Sequence, residues 1–318
     1  MRLFFTLISL CFCINLLGGD ETWTWQRQHH PYRIHVIEKG SGSQHVLLIH
    51  GFGANTYTWR YIIDPLANAG YHVWAIDLLG FGASDKPIGI PYSLDLYLDQ
   101  IRAFLEAKKI SKVDFVGNSM GGGISLAYTL RDPDRVKSLT LIDSMGYPMR
   151  LPMLLELARW APEMAKYFFS RSLTKSVIKY IVYDKDSVTD EQVDAYWLPL
   201  TQPGGKEALL TLLRTFDNQV LENMSRDIKK IQVPTLIIWG EDDPLIPVSH
   251  ASRFKEEIPH AQLEIIPRCG HIPQEEIPDF VNKILINFLG HLPTTSELTL
   301  EEKSGADADG PLPGRNCQ

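Results

Sequence analysis

Between an apolar stretch that reads as a strand, Lys112 to Val116, and one that reads as a helix, Ile124 to Leu130, lies the run Gly117-Asn118-Ser119-Met120-Gly121-Gly122. A serine there sits on a strand-to-helix turn so sharp that its backbone is strained and its neighbours must be small. Gly117 and Gly121 supply that space. The pattern is that of a nucleophile elbow, and it commits the surrounding chain to a strand feeding a helix at the carboxyl edge of a sheet.

The rest of the chain repeats the theme. Tyr32 to Ile37 alternates as an edge strand would, and His45 to Ile49 is a continuous apolar run, as expected of a strand buried on both faces. Val73 to Asp77, Val136 to Ile142, Thr235 to Trp239 and Leu263 to Ile266 read the same way, with helical periodicity between them, for example Leu94 to Leu105 behind the N-cap candidate Ser93. Such alternation predicts an α/β fold, a mostly parallel sheet flanked by helices on both faces. It breaks after Gly146. From Tyr147 to about Gly205 no buried strand is visible, whereas Leu154, Leu157, Ala158 and Ala161 share a helical face, as do Val177, Tyr180 and Ile181. Thr189 with Gln192 three residues on fits a capping box. The expected organisation is therefore a core over 20–146 and 205–292, with a helical cap over 147–204 inserted after the strand ending near Asp143. Residues 293–318, poor in large apolar side chains, read as a disordered tail.

The first nineteen residues differ in kind. Met1-Arg2, an apolar run from Leu3 to Leu17 and then Gly18-Gly19 match a secretory signal peptide, or an uncleaved signal anchor, since Leu16 and Leu17 are poor neighbours for a cleavage point. The expectation is an exported protein, membrane-associated if the segment stays. Of four cysteines, Cys11 and Cys13 fall in that segment, which leaves Cys269 and Cys317 and no disulfide framework. A net charge of -7 without any lysine- or arginine-rich cluster gives no footprint for nucleic acid. No metal-ligand spacing and no phosphate-cradling loop appears, so neither metal nor cofactor is expected.

A serine hydroxyl is a weak nucleophile, so the elbow calls for a base to take its proton and an acid to orient that base. Gly270-His271 follows one late strand, and Gly240-Glu241-Asp242-Asp243 follows another. Both would emerge at the edge where Ser119 lies. Directly after the strand ending at Ile49 comes His50-Gly51-Phe52-Gly53, where the Phe52 amide, with that of Met120, could receive an oxyanion. One such donor is worth about 3 kcal/mol in the transition state, and a positioned base roughly 10²- to 10⁴-fold in rate.

With these elements in order, the chain resembles the α/β-hydrolase family over nearly all of residues 30 to 290. Asp77-Leu78-Leu79-Gly80-Phe81-Gly82-Ala83-Ser84 is similar to that family's D-x-x-G-x-G-x-S segment, and Trp239 to Asp243 to its acid loop. The resemblance implies Ser119 as nucleophile, His271 as base and Asp243 as acid, with Asp242 and Asp143 the other carboxyls near that edge. It also implies a structural part for His50 and a shaped turn at Asp77. A serine at the elbow argues against epoxide hydrolases and haloalkane dehalogenases, which carry an aspartate there.

Carboxylic ester hydrolysis through an acyl-serine is the activity expected from this resemblance. The apolar cap residues Met153, Leu154, Leu157, Trp160, Met164, Phe168, Phe169, Ile178 and Ile181 suggest a pocket for the acyl chain of a lipid-like small-molecule substrate. Two alternatives stand beside it. The elbow also resembles that of carbon–carbon hydrolases of the meta-cleavage-product type, although Ile272 replaces their usual tryptophan and the 50–53 loop is less polar than theirs. A ligand-binding protein without turnover on the same fold is the other.

Overall fold

The computed structural model describes residues 19–292. Residues 1–18, which hold nearly all of the 1–19 stretch read as a signal peptide or anchor, and residues 293–318, read as a disordered tail, lie outside the described residues. Eight strands form one sheet: β1 (Asp20–Arg27), β2 (His30–Lys39), β3 (His45–Ile49), β4 (His72–Ile76), β5 (Val113–Asn118), β6 (Val136–Ile142), β7 (Thr235–Gly240) and β8 (Gln262–Ile266), in the spatial order β1-β2-β4-β3-β5-β6-β7-β8. From β4 to β8 every pairing is parallel, while β1 and β2 form an antiparallel hairpin on one side. The mostly parallel α/β sheet expected from the alternation is the one observed, with one strand more. Asp20–Arg27 occupies the edge, so the stretch around Tyr32 to Ile37 becomes second in order rather than outermost. In this edge strand only Trp25 is fully buried, with Trp23 half-buried against the same core.

Twelve α-helices follow in chain order: α1 (Ile63–Asn68), α2 (Leu94–Ala107), α3 (Met120–Arg131), α4 (Met153–Trp160), α5 (Pro162–Phe168), α6 (Arg171–Ile181), α7 (Asp190–Thr201), α8 (Gly205–Thr215), α9 (Asn218–Ser225), α10 (Ser249–Glu257), α11 (Pro273–Glu276) and α12 (Pro278–Gly290). Because strand side chains alternate, β3 sends Leu47 and Ile49 into one apolar layer and Val46 and Leu48 into another. The first layer holds residues of α2, α3 and α10, such as Phe104, Ile124 and Phe254, and the second residues of α1 and α12, such as Leu66, Val281 and Phe288. Both faces of the parallel strands are thereby covered.

The chain between β6 and β7 contains helices and loops but no strand. Its first helices, α4 and α5, leave Met153, Leu154, Leu157, Trp160, Met164 and Phe168 exposed, with Trp160 at 81%. Those six side chains line no acyl pocket. Of the nine proposed for that role, only Ile178 is fully buried, in a separate cluster with Val182, Val193, Tyr196 and Ile272 that joins the cap to the core. The helix α8 lies beyond residue 204 yet packs against α4, α5 and α7, while its Ala208 and Leu209 enter the main core. It therefore belongs to both units. Thr189 caps α7 by accepting from the Gln192 amide at 3.1 Å, but the Gln192 side chain turns away to Glu275 at 3.0 Å, so the reciprocal half of the box is not formed.

Candidate active site

Ser119 lies between β5 and α3 with φ +56° and ψ -118°, a conformation that costs of order 1–3 kcal/mol and persists only when its surroundings enforce it. They do so from three sides. The Ser119 amide donates to Ile142 O on β6 at 2.9 Å, while its carbonyl accepts from Gly123 and Met145. A Cβ added to Gly121 would stand 2.1 Å from Ile49 O, and one added to Gly117 would stand 2.4 Å from Gly121 O. The hydroxyl itself has no hydrogen-bond partner among the described residues.

His271 follows β8, and its ring Nδ1 stands 2.7 Å from Asp243 Oδ2, both side chains being buried. Asp243 follows β7 and takes two further donors on its other oxygen, the amides of Leu245 at 2.7 Å and Ile246 at 3.2 Å. With Nδ1 bound to a carboxylate, the imidazole presents Nε2 as the free nitrogen, as a base requires. Asp242 makes only a backbone bond, to Cys269 O. The backbone of His271 is held from two directions: its amide donates to Ile181 O at the end of α6, and its carbonyl accepts from Asn118, the residue before the serine. Serine and histidine are thus fixed to a shared residue pair at one sheet edge, although no hydrogen bond joins them.

The Phe52 and Met120 amides have no acceptor among the described residues, and Gly51 lies so close to Ser119 that a Cβ on it would sit 3.1 Å from Ser119 Cβ. His50 holds this loop. Its Nε2 accepts from Leu78 N at 3.0 Å, which leaves Nδ1 protonated to donate to Gly51 O at 2.8 Å, and burial lowers its pKa and keeps the ring neutral. Asp77 shapes the neighbouring turn: it accepts from the amides of Thr56 and Ala83 at 2.7 Å each and from His35.

Two groups went unnoticed in the sequence. Glu275, its side chain buried, accepts from Thr58, Arg60, Gln192 and Tyr196, so that one carboxylate ties the core to α7. Glu276 accepts from the amides of Gly270, Ile272 and Tyr183, clamping the histidine loop to the chain just past α6. Paired acids in an otherwise apolar stretch were the available signal. The absence of ligand spacing in the sequence also meets an exception in space. Ligand atoms of Asp143, Asp243 and His271 lie within 4.8 Å of one another. One side of that triangle is the histidine–aspartate hydrogen bond.

A sheet in this order, a strained serine on its fifth strand and a histidine–aspartate pair after its last two define a hydrolase scaffold. Residues 44–278 match the family model described as the alpha/beta hydrolase fold, and the chain belongs to that family. Among its relatives, the 2-hydroxy-6-oxo-2,4-heptadienoate hydrolase of Pseudomonas putida is 33% identical over 266 residues, 82% of this chain and 90% of that protein. The 2-hydroxy-6-oxononadienedioate/2-hydroxy-6-oxononatrienedioate hydrolase of Escherichia coli is 31% identical over 81% of this chain and 91% of its own length. Among solved structures, a meta-cleavage product hydrolase from Pseudomonas fluorescens is 30% identical with a TM-score of 0.74, covering 86% of this chain and 98% of that one.

These likenesses correct the activity expected above. The relatives are hydrolases of 2-hydroxy-6-oxo-dienoates, so carboxylic ester and lipid hydrolysis gives way to the carbon–carbon alternative.

Proposed function

We infer that this hydrolase cleaves the carbon–carbon bond beside the ketone of a 2-hydroxy-6-oxo-dienoate. The observation that carries the reading is the 33% identity to a 2-hydroxy-6-oxo-2,4-heptadienoate hydrolase across 90% of that protein's length. A ketone at C6 has carbon on both sides, so its hydrolysis must expel a carbon fragment. The 2-hydroxydiene makes this feasible, because in its keto form the electron pair left on C5 delocalises to the C2 oxygen.

Each part of the site has a role in that cycle. The Ser119 hydroxyl adds to C6 as His271 Nε2 takes its proton, and the resulting oxyanion is met by the Phe52 and Met120 amides. Asp243 holds the histidine tautomer and stabilises the imidazolium. The C5–C6 bond then breaks, its electron pair enters the conjugated fragment, and the histidine's proton goes to that fragment. Water, deprotonated by His271, releases the acyl group from Ser119 as a carboxylic acid. The sum is one substrate and one water giving one carboxylic acid and one 2-hydroxydienoate.

Incubation with 2-hydroxy-6-oxo-2,4-heptadienoate tests this directly. Acetate and a shortened dienoate should appear in equal amounts with loss of the long-wavelength absorbance, and Ser119→Ala should abolish both. Cleavage no faster than in Ser119→Ala would reject the assignment; saturable binding without cleavage would favour the silent ligand-binding alternative.

A further inference from the structure

Asp143, at the end of β6, is fully buried and adopts φ +43°, a region that aspartate tolerates better than most residues. Its Oδ1 accepts from Gly240 N at 3.0 Å, whereas Oδ2 is buried and receives no donor from any described N–H or hydroxyl. What the side chain faces is the carboxyl of Asp243, one oxygen of each lying within 4.8 Å of the other. Two buried carboxyls this close repel each other when both are ionised, which favours a proton on one of them.

The count of donors decides which carboxyl carries it. Asp243 receives three, from Leu245, Ile246 and His271, and Asp143 receives one. Hydrogen bonds to the charged form favour ionisation, and burial opposes it. Negative charge therefore settles on Asp243. Burial, followed by the neighbouring Asp243 charge, holds the Asp143 carboxyl well above the usual range. No other nearby group supplies the proton. Glu276 on α11 spends its oxygens on three amides, and the Cys269 thiol before His271 makes no hydrogen bond to either carboxyl. His250 on α10 has its pKa lowered by burial, and Asp242, like Asp143, is acidic.

We propose that Asp143 is a positioning residue of this site, a carboxylic acid that stays protonated at neutral pH and donates its O–H to Asp243, fixing the carboxylate that orients His271. The proposal rests on the roles given above to Asp243 and His271, and it deepens them: the acid of the site is a pair of carboxyls sharing one proton, as in other sites where two carboxyls crowd together.

The test reads the rate at which a fluorophosphonate labels Ser119, between pH 5 and 10, in the full chain. Asp143→Asn offers an amide N–H in place of the acid O–H and should retain most of the rate; Asp143→Ala should label roughly tenfold more slowly. In Asp243→Asn the neighbouring charge is gone, so Asp143 ionises more easily and can serve His271 itself. That variant should keep measurable labelling that rises with pH, and Asp143→Asn/Asp243→Asn should lose the rise. Equal profiles for these last two variants would overturn the proposal, as would Asp143→Ala at the wild-type rate. Should Asp143→Ala fail to fold, the isosteric asparagine variants still decide the matter. Labelling needs no dienoate, so a wild type that labels but leaves dienoates intact would refute the proposed reaction without touching Asp143.

Discussion

At the scale of single residues, the elbow is tightest where Gly121 faces the end of β3. A methyl group there would lie 2.1 Å from a backbone carbonyl that the central strand cannot move. Gly121→Ala should cost about 2–4 kcal/mol and lower the yield of folded protein, as measured by urea denaturation. Asp114 on β5 makes a prediction of opposite sign. Burial pushes its carboxyl up to about 6, with Ser138 Oγ donating at 2.6 Å. The folded value lies above the unfolded one, so stability is undiminished below about pH 3.8 and falls as pH rises to about 6. Asp114→Asn should therefore stabilise the protein at pH 7 by at most roughly 3 kcal/mol, with the gain vanishing below pH 4, in melts across pH. A smaller or absent gain at pH 7 would mean that the strand relaxes around the charge.

At the scale of elements, the sequence was most legible where a strand is buried on both faces and least where it is not. Apolar runs such as His45–Ile49 admit one reading. Asp20–Arg27 mixes charges, threonines and two tryptophans because only Trp25 is buried, and nothing in that pattern separates it from a leader's exit. Periodicity in α4 marked an apolar face correctly but is silent on what lies against it, which is why side chains read as pocket lining are exposed. The pairing of Asp143 with Asp243 spans a hundred residues and rests on topology. Glu275 belongs here too. Removing it leaves Arg60 partly buried without its carboxylate and frees α7 from Thr58 and Arg60. Glu275→Ala should cost about 3 kcal/mol and expose the segment around residues 184–190 to protease, seen as earlier cutting in a limited-digestion time course.

At the scale of the molecule, the exposed side chains of α4 and α5 contribute little to folding. Trp160→Ser and Tyr167→Ser, at positions 81% and 90% exposed, should each leave the unfolding free energy within about 0.5 kcal/mol of the parent in chemical denaturation. A larger loss would place a packing partner over those helices. The resemblance in motifs carried the family correctly and the reaction wrongly, because the elbow, base and acid are common to ester and carbon–carbon hydrolysis. What separated the two reactions was the likeness over most of the chain to dienoate hydrolases, not the motifs.

The amide of His271 donates to Ile181 O, and Glu276 grips the amide of Tyr183 two residues on. The backbone of the base is therefore roped to the end of α6 at two points, so any displacement of that helix end is passed on to His271.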